Sequence, residues 1–589
     1  MEVVLDIETD GLDATEIFCI VAKERESGKI HVWKEQQCYE TFPLFAKRVS
    51  KFIMHNGISF DAYVLNNLTS VDIDIDRIED TLILSQLSDP VRDGGHSLES
   101  WGQRLGFDKI DFHDFSCLTQ EMVDYCIRDV ELTERVYIAL QPDIQAIRRQ
   151  CIDLEYEVRK LVSQQERNGF TLDMQKATCL VAKLKDQSDQ IEKDVTDMFP
   201  PIPVLIREVT PKIKKDGSLS TVGLRHIEDI STVGGVHSSI DYQEFNLSSR
   251  QQIVKRLLSR GWKPKKFTEK GHPIVDEGVL KDVDLPEAKK IAEFLMLRKR
   301  IAQIQSWIDA VKDDGKVHGQ VLTLRAISGR MAHHSPNMAQ VPASYSPYGK
   351  ECRECWTAGD SPSLVLVGCD ASSLELRALA HYLNDSKFTS DVVDGDIHTA
   401  NQHAAGLETR DQAKTFIYAF IYGAGAAKIG SVVGGTAQDG QRLIDTFLSN
   451  VPALATLREK VDAASNRGYL IGLDGRKLMV RNKHSAVNLL VQGAGAVICK
   501  QWLVDIHNLL SYTQMKARLV ASIHDEYQHE INKDQAEEFG ELTKLAMRKT
   551  QERLGIKCPL DSEYKVGHNW SQTHSNFNNC RVKDQCVHW

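Results

Sequence analysis

Along the first 140 residues the apolar positions switch between two periods. Val3–Ile7, Phe18–Ala22 and Ile30–Trp33 are short apolar runs of strand length. Ala62–Leu68, Thr81–Leu87 and Gln120–Leu140 repeat at helical spacing instead. This alternation predicts an α/β domain. Residues 144–198 are long, charged and helix-periodic. The texture changes over Phe199–Asn246, where Phe199-Pro200-Pro201-Ile202-Pro203, a lysine cluster and Thr232-Val233-Gly234-Gly235-Val236 punctuate the chain. An irregular insertion or protruding loop is expected there. Helical pattern resumes over Ser248–Leu258 and from Pro286 to about Val311, and from Leu364 onward short strands alternate with helices. No internal repeat or low-complexity tract is present.

A length of 589 residues suggests about three to five structural units. With 42% hydrophobic and 26% charged residues, the composition is that of an ordinary globular protein with a sizeable core. No apolar run reaches the ~18 residues of a bilayer span. Met1-Glu2-Val3-Val4-Leu5-Asp6 has no basic leader and reads as a strand, so neither export nor membrane insertion is expected. Thirteen scattered cysteines fit a reduced compartment. Cys352 and Cys355 form a lone CxxC, and Cys580, Cys586 and His588 a loose cluster in an expected unstructured tail; structural zinc sites need four ligands, so both read as incidental. A net charge of −10 argues against nucleic-acid binding when taken alone. Local basic runs nonetheless occur at Lys212-Ile213-Lys214-Lys215, Lys263-Pro264-Lys265-Lys266 and Arg298-Lys299-Arg300, each equally readable as a solvated helix end or loop.

Two acidic constellations carry the chemistry. Asp6 and Glu8 alternate on the first predicted strand and share a face. Adjacent carboxylates repel unless a cation lies between them. Asp61, in His55-Asn56-Gly57-Ile58-Ser59-Phe60-Asp61, and Asp129, four residues after Tyr125 on one helical face, complete a set. Four carboxylates and a tyrosine that orients water suit two-metal hydrolysis of a phosphodiester, and hard oxygen ligands favour Mg2+ or Mn2+ over zinc. The ordered set resembles the DEDDy proofreading 3′–5′ exonucleases. Asp80-Thr81-Leu82-Ile83-Leu84-Ser85 and Ser97-Leu98-Glu99-Ser100-Trp101-Gly102 resemble that domain in phage polymerases.

The second constellation begins with Leu364-Val365-Leu366-Val367-Gly368-Cys369-Asp370, an apolar strand ending in an acid. Arg518–Ile523 and Tyr527–Ile531 predict a hairpin with His524-Asp525 at its tip. Asp370 and Asp525 are thereby able to meet across one sheet and hold two metals. Between them Arg410, Lys414, Tyr418 and Tyr422 recur every four residues, drifting only ~120° over ~18 Å of helix. Two cations followed by two rings match a nucleoside triphosphate. Core placement of Arg410 and Lys414 is disfavoured, because buried unpaired cations are costly.

Here the resemblance becomes close. Asp370-Ala371-Ser372-Ser373-Leu374-Glu375-Leu376-Arg377 is similar to motif A of family A DNA polymerases, Arg410 to Gly423 to motif B, and His524-Asp525-Glu526 to motif C. Gly395-Asp396-Ile397-His398-Thr399, Leu473-Asp474-Gly475-Arg476-Lys477 and Leu490-Val491-Gln492-Gly493-Ala494-Gly495-Ala496 resemble the T-seven-type phage enzymes. The resemblance implies an α/β and α+β multidomain protein: a ribonuclease H-like exonuclease domain (1–145), a thumb (146–320, with the insertion 199–246), palm (321–395), fingers (396–486) and second palm part with tail (487–589). It implies two Mg2+ per active site, replaceable by Mn2+. Asp370, Asp525 and the Ala371 carbonyl would hold the polymerase metals, and Asp6, Glu8, Asp61 and Asp129 the exonuclease metals. His398, Arg410 and Lys414 would grip the triphosphate. Tyr422 would shape the base-pair pocket, Glu375 would gate against a ribose 2′-hydroxyl, and Tyr418 implies dideoxynucleotide tolerance. Arg330, Gln340, Asn488, Gln492 and His524 would contact primer–template DNA. The expected reaction is in-line attack of a primer 3′-hydroxyl on a dNTP α-phosphate, with proofreading.

The chain starts directly with the exonuclease pattern, without a 5′-nuclease domain, which favours a phage replicase. A monomer acting in the cytoplasm of an infected bacterium, with a helicase–primase as partner, is expected. In T-seven-type enzymes a long thumb loop captures host thioredoxin. The segment 199–246 reads as shorter and different in composition, which weighs against thioredoxin and leaves DNA contact through Lys212, Lys214 and Lys215, or flexibility, as alternatives. Three rival readings are a repair or translesion polymerase, which often lacks the four exonuclease acids; a single-subunit RNA polymerase, which must admit the 2′-hydroxyl; and a decayed DNA-binding module, which would not need Asp370, Lys414 and Asp525.

Overall fold

A computed structural model describes residues 1–574 apart from 211, 221–235 and 360. The Thr232–Gly235 run and the tail cluster Cys580, Cys586 and His588 lie outside the described residues. Contacts divide the chain into two units, Met1–Asp173 with Ala310–Trp589, and Met174–Asp309.

The first unit opens with a five-stranded sheet of β1 (Glu2–Thr9), β2 (Ile17–Glu24), β3 (Ile30–Lys34), β4 (Lys51–Met54) and β5 (Ile78–Asp80), ordered β3-β2-β1-β4-β5. β1 pairs antiparallel with β2 and parallel with β4. Val3, Val4, Leu5 and Ile7 are all buried, so β1 is covered on both faces rather than half-solvated. Helix α1 (Asp61–Leu68) lies between β4 and β5 in sequence, and α2 (Gln120–Ala146), which follows the sheet, packs on β1 and β2. Thr119 starts α2 by accepting a hydrogen bond from the Met122 amide. The expected strands and helices of residues 1–140 are therefore present.

Helix α3 (Arg149–Asn168) follows. The single helical stretch expected over 144–198 is broken by a short strand at Phe170–Leu172, which pairs with Trp356–Thr357 and Lys316–Val317. Leu172 and Phe170 are buried in that pairing, and Gly169 (φ 64°) makes the turn out of the helix.

The other sheet of this unit has strands β6 (Leu364–Ala371), β7 (Arg518–Ile523), β8 (Glu526–Asn532) and β9 (Ser562–Gly567), in the antiparallel order β7-β8-β6-β9. Gly368 in β6 is required by close approach: a Cβ there would meet the Gln528 side chain and come within 2.6 Å of the Thr573 carbonyl oxygen. Helices α4 (Leu374–Leu383), α5 (Ile397–Ala405), α6 (Arg410–Ile421) and α7 (Ala486–Leu510) complete the part that carries the site. The helical stretch Lys483–Leu510 is long and apolar enough to cross a bilayer, yet it is almost wholly buried within the protein and packs on α3 and α4.

Within α7 the buried Lys500 ammonium lies 2.7 and 2.8 Å from the two Glu155 oxygens and 2.7 Å from the Thr323 carbonyl. Arg476 reaches Glu155 at 2.7 Å and grips Asp474 through Nε and Nη2. Two acids thus balance two bases, all buried. Nearby, His507 and His529 stack with ring centroids 5.5 Å apart. Neither nitrogen of His529 nor Nε2 of His507 has a hydrogen-bond partner.

The second unit pairs two long helices, Met174–Met198 and Pro286–Asp309. Its core gathers Val195, Phe199, Phe245, Leu247, Trp262 and Phe294. The segment expected to be irregular instead contains an antiparallel hairpin, Ile202–Val209 with His237–Gln243. The prolines hid this strand. They sit at its start, where a missing amide costs little.

Two outcomes test this packing. Glu155→Gln leaves Lys500 and Arg476 under-compensated and is expected to cost about 3–5 kcal/mol in urea unfolding, whereas Asp153→Asn, at an exposed pair with Arg149, should cost under ~0.5 kcal/mol. Burial pushes the His507 imidazole down to about 4 and His529 well below its ordinary value. The unfolded chain takes up protons on both below about pH 6.5 while the folded chain does not, so their contribution to stability is full above that pH and is lost as pH falls toward 4. His529→Phe should flatten the fall in melting temperature between pH 6.5 and 4.5; an unaltered slope would contradict this assignment.

Candidate active sites

Near the N-terminus, β1 presents Asp6 and Glu8. Asp61 is the first residue of α1, and Tyr125 and Asp129 lie one turn apart on α2. The structure brings these five residues together. Burial pushes Asp6 well above the usual carboxylate range, and Asp61, Glu8 and Asp129 add to the shift. Glu8 is pushed up to about 9 by burial, then by Cys19, Asp129 and Asp61. Burial also raises Asp61, to about 7, against the backbone amides that oppose it. Asp129 rises through burial despite Lys109. Asp61 Oδ1 and Asp129 Oδ1 are buried without a hydrogen-bond partner. Such repulsion and such unsatisfied oxygens are what a bound divalent cation removes.

Two residues of this site escaped the sequence reading. Lys109 lies 2.6 Å from Asp129 Oδ2, with its ammonium 4.8 Å from the centre of the Tyr125 ring. It comes from the irregular stretch before α2, where nothing in the pattern marked it. Cys126 places its sulfur 3.5 Å from Asp6 Oδ2. It sits inside the Tyr125–Asp129 spacing that identified the helix, so its position i−3 from Asp129 was a signal available in the sequence.

The second site lies at one end of the β7-β8-β6-β9 sheet. Asp370 stands opposite Glu526 in register, and the Ala371 amide donates to the Asp525 carbonyl at 3.0 Å. Asp370 and Asp525 therefore occupy neighbouring strand ends, as their strands required. His524 turns the hairpin at φ 56°. Glu526, beside Asp525, accepts hydrogen bonds from Trp570 at 2.6 Å and His574 at 2.9 Å. Burial opposes its charge, but His574, Arg353 and Trp570 prevail and hold it well below the ordinary glutamate value.

Glu375, in the first turn of α4, accepts from Arg330 at 2.9 Å and from the Tyr422 hydroxyl at 3.2 Å. Burial opposes the Arg330 charge, yet Glu375, Tyr422 and Asp525 outweigh it and raise its pKa. Sequence placed Glu375 and Tyr422 in one pocket and Arg330 on DNA; the ion pair that joins all three was not legible. Helix α6 begins with a capping box, Thr409 and Gln412. Arg410 pairs with Asp396, the N-cap of α5, at 2.6 Å. Lys414 is only 2% exposed, contrary to the expectation that its charge keeps it out of the core. His398 on α5 faces Tyr418 with centroids 6.2 Å apart, and the rings of Tyr418 and Tyr422 stack at 6.4 Å. Burial, then Lys414 and Arg410, push His398 down to about 4, so it is neutral at pH 7 with Nδ1 unpartnered.

Among the expected DNA contacts, Asn488 and Gln492 lie one turn apart on α7 and Gln340 ends a short 3-10 turn, Met338–Gln340. Asn488 Oδ1 is buried without a partner. Lys212, Lys214, Lys215, Lys263, Lys265 and Lys266 are exposed, as are Arg298 and Lys299, whereas Arg300 is buried. Cys352 and Cys355 are buried thiols, neither in a disulfide.

A sheet that brings two aspartates to one end, flanked by a helix of cations and rings, is the architecture of a nucleotide polymerase. The profile of DNA polymerase family A matches residues 223–572. The DNA-directed DNA polymerase of Enterobacteria phage T3 is 32% identical, covering 97% of this chain and all of that protein. That of Escherichia phage T7 is 32% identical over 89% of this chain and 92% of its own length. The POL domain of Pol1 from M. smegmatis, solved with DNA primer-template and dNTP, shares the fold at TM-score 0.76 and 16% identity, covering 97% of this chain and 96% of that one. The chain belongs to family A of the DNA polymerases. It is a DNA-directed DNA polymerase that synthesises DNA on a template, with metal-dependent chemistry.

A cation entering the first site meets the Lys109 ammonium already paired with Asp129 Oδ2. Lys109→Met is expected to bind Mn2+ about fivefold more tightly by calorimetry, the ~1 kcal/mol of a partly exposed ion pair. Unchanged affinity would mean that the pair persists in the loaded site.

Proposed function

We propose that this polymerase also proofreads, trimming mispaired 3′ ends at the Asp6, Glu8, Asp61 and Asp129 site, and that both sites use Mg2+. The observation that carries this reading is the convergence of four crowded carboxylates, two of which keep a buried oxygen without a partner. Oxygen-only donors from Asp and Glu suit Mg2+ or Mn2+. When bound, such ions activate the attacking oxygen and stabilise the leaving one. Around the first site Tyr125 orients the attacking water, and Lys109, freed from Asp129, offers a cation to the scissile phosphate.

In the polymerase site, Asp370, the Ala371 carbonyl and Asp525 would hold the ions. His398, Arg410 and Lys414 bind the triphosphate, Arg410 by exchanging Asp396 for phosphate oxygens. Tyr418 and Tyr422 stack against sugar and base. Glu375, fixed by Arg330 and Tyr422, fills the space a 2′-hydroxyl would take. Gln340, Asn488, Gln492 and His524 read the primer–template end, mainly through its shape and phosphates. Arg330 joins them from its position beside Glu375.

Residues 1–145 form the exonuclease part of this reading, 146–320 the thumb, 321–395 and 487–589 the palm, and 396–486 the fingers. The setting is replication in the cytoplasm of an infected bacterium, with a helicase–primase as partner. No thioredoxin role is assigned to 199–246.

The test is a pair of variants on one labelled, mispaired primer. Asp525→Ala should slow extension at least ~10²-fold while trimming continues. Asp6→Ala should abolish trimming while extension continues. If Asp6→Ala trims as fast as the wild-type protein, proofreading at this site is wrong.

A further inference from the structure

Cys126 brings a soft donor among the carboxylates of the first site. Its sulfur stands 3.5 Å from both the Oδ2 and the backbone oxygen of Asp6. Ligand atoms of Asp6, Glu8 and Cys126 all lie within 4.8 Å of one another, the one such group of three among the described residues. A second thiol is at hand: Cys19 lies directly across the β1–β2 pair from Glu8. Both cysteines are fully buried, so neither is held there by solvent.

Softness decides what this set prefers. Mg2+ takes oxygen ligands in near-octahedral geometry, keeps several waters, and has little affinity for sulfur. Zinc and cadmium accept thiolate and carboxylate together at low coordination number. The unpartnered Asp61 Oδ1, itself only 4% exposed, adds a further oxygen to the same crowded cluster.

We propose that Asp6, Glu8 and Cys126 form a binding site for a thiophilic divalent cation, zinc or cadmium, which overlaps the magnesium site and shuts off strand trimming. On binding, the Cys126 thiol loses its proton to solvent and its sulfur forms a bond to the ion. Affinity therefore rises with pH. The polymerase site has no counterpart group of three among the described residues. Cys369, next to Asp370, directs its sulfur to the Tyr527 carbonyl at 3.6 Å. Extension thus tolerates ion concentrations that stop trimming.

The inference rests on reading Asp6 and Glu8 as a metal site, and its test separates the two. The full chain is titrated with cadmium in excess Mg2+, and the thiolate-to-cadmium charge-transfer band in the ultraviolet is followed without DNA. The tightest component of the band is expected to disappear in Cys126→Ala and in Cys126→Ser, and to weaken at least tenfold in Asp6→Asn. It should survive in a Cys117→Ala, Cys179→Ala double variant of the two exposed thiols. Circular dichroism identifies any variant that has not folded; the Ala and Ser versions check each other. In parallel, cadmium should inhibit trimming by wild-type protein at least tenfold more strongly than extension. A tight band that persists without Cys126, or that ignores Asp6→Asn, overturns the site. A band with the expected dependence in a protein that never trims upholds the site and removes the exonuclease reading instead.

Discussion

Much of the first unit depends on one helix that belongs to two cores. Cys151, Ile152 and Tyr156 of α3 pack with the N-terminal sheet, while Leu154, Val158 and Val162 pack with the polymerase core. The polar groups divide in the same way. The Tyr156 hydroxyl accepts from the Asp80 amide at 2.9 Å and donates to Glu79 at 3.0 Å. Its neighbour Glu155 faces away and neutralises Lys500 and Arg476. Burying charges is unfavourable unless each is matched, and here the match ties a helix near the N-terminal sheet to one more than 300 residues later. The relation between the two halves is fixed by charge balance as much as by apolar area.

The two sites solve the same electrostatic problem in different ways. In the N-terminal cluster the carboxylates are crowded and Lys109 relieves only one of them. In the polymerase site protein groups already offset much of the charge: Arg330 sits on Glu375, and Trp570, His574 and Arg353 surround Glu526. The first arrangement leaves most of its charge uncompensated by protein groups. The second matches the charged residues beside the two aspartates with protein groups of opposite charge.

Much of this was legible in the sequence because it is periodic. Strand alternation put Asp6 with Glu8, helical spacing put Tyr125 with Asp129 and Arg410 with Lys414, and the hairpin put Asp525 at a turn. What stayed hidden depends on contacts between distant segments. Lys109 reaches Asp129 from an irregular stretch, Arg330 meets Glu375 across 45 residues, and Glu155 meets Lys500 across 345. No local pattern encodes such pairs. The burial of Lys414 was misjudged for the same reason, since the cost of an interior cation depends on neighbours that one helix does not reveal. The hairpin within 199–246 was missed because prolines dominate its opening, although proline is tolerated at a strand's first residues.

The position of Trp570 and His574 bears on the order in which the molecule matures during translation. The N-terminal sheet and its acids are complete once about a quarter of the chain has emerged, and such segments fold as they appear. Glu526 gains its Trp570 and His574 contacts only once residue 574 has left the ribosome, because these two partners are among the last residues of the described chain. A ribosome stalled before that point would release a chain whose N-terminal acidic cluster is whole while the glutamate beside Asp525 keeps Arg353 and Gln528 but lacks its Trp570 and His574 contacts. Premature termination in this gene thus falls on the polymerase site and spares the N-terminal acidic cluster.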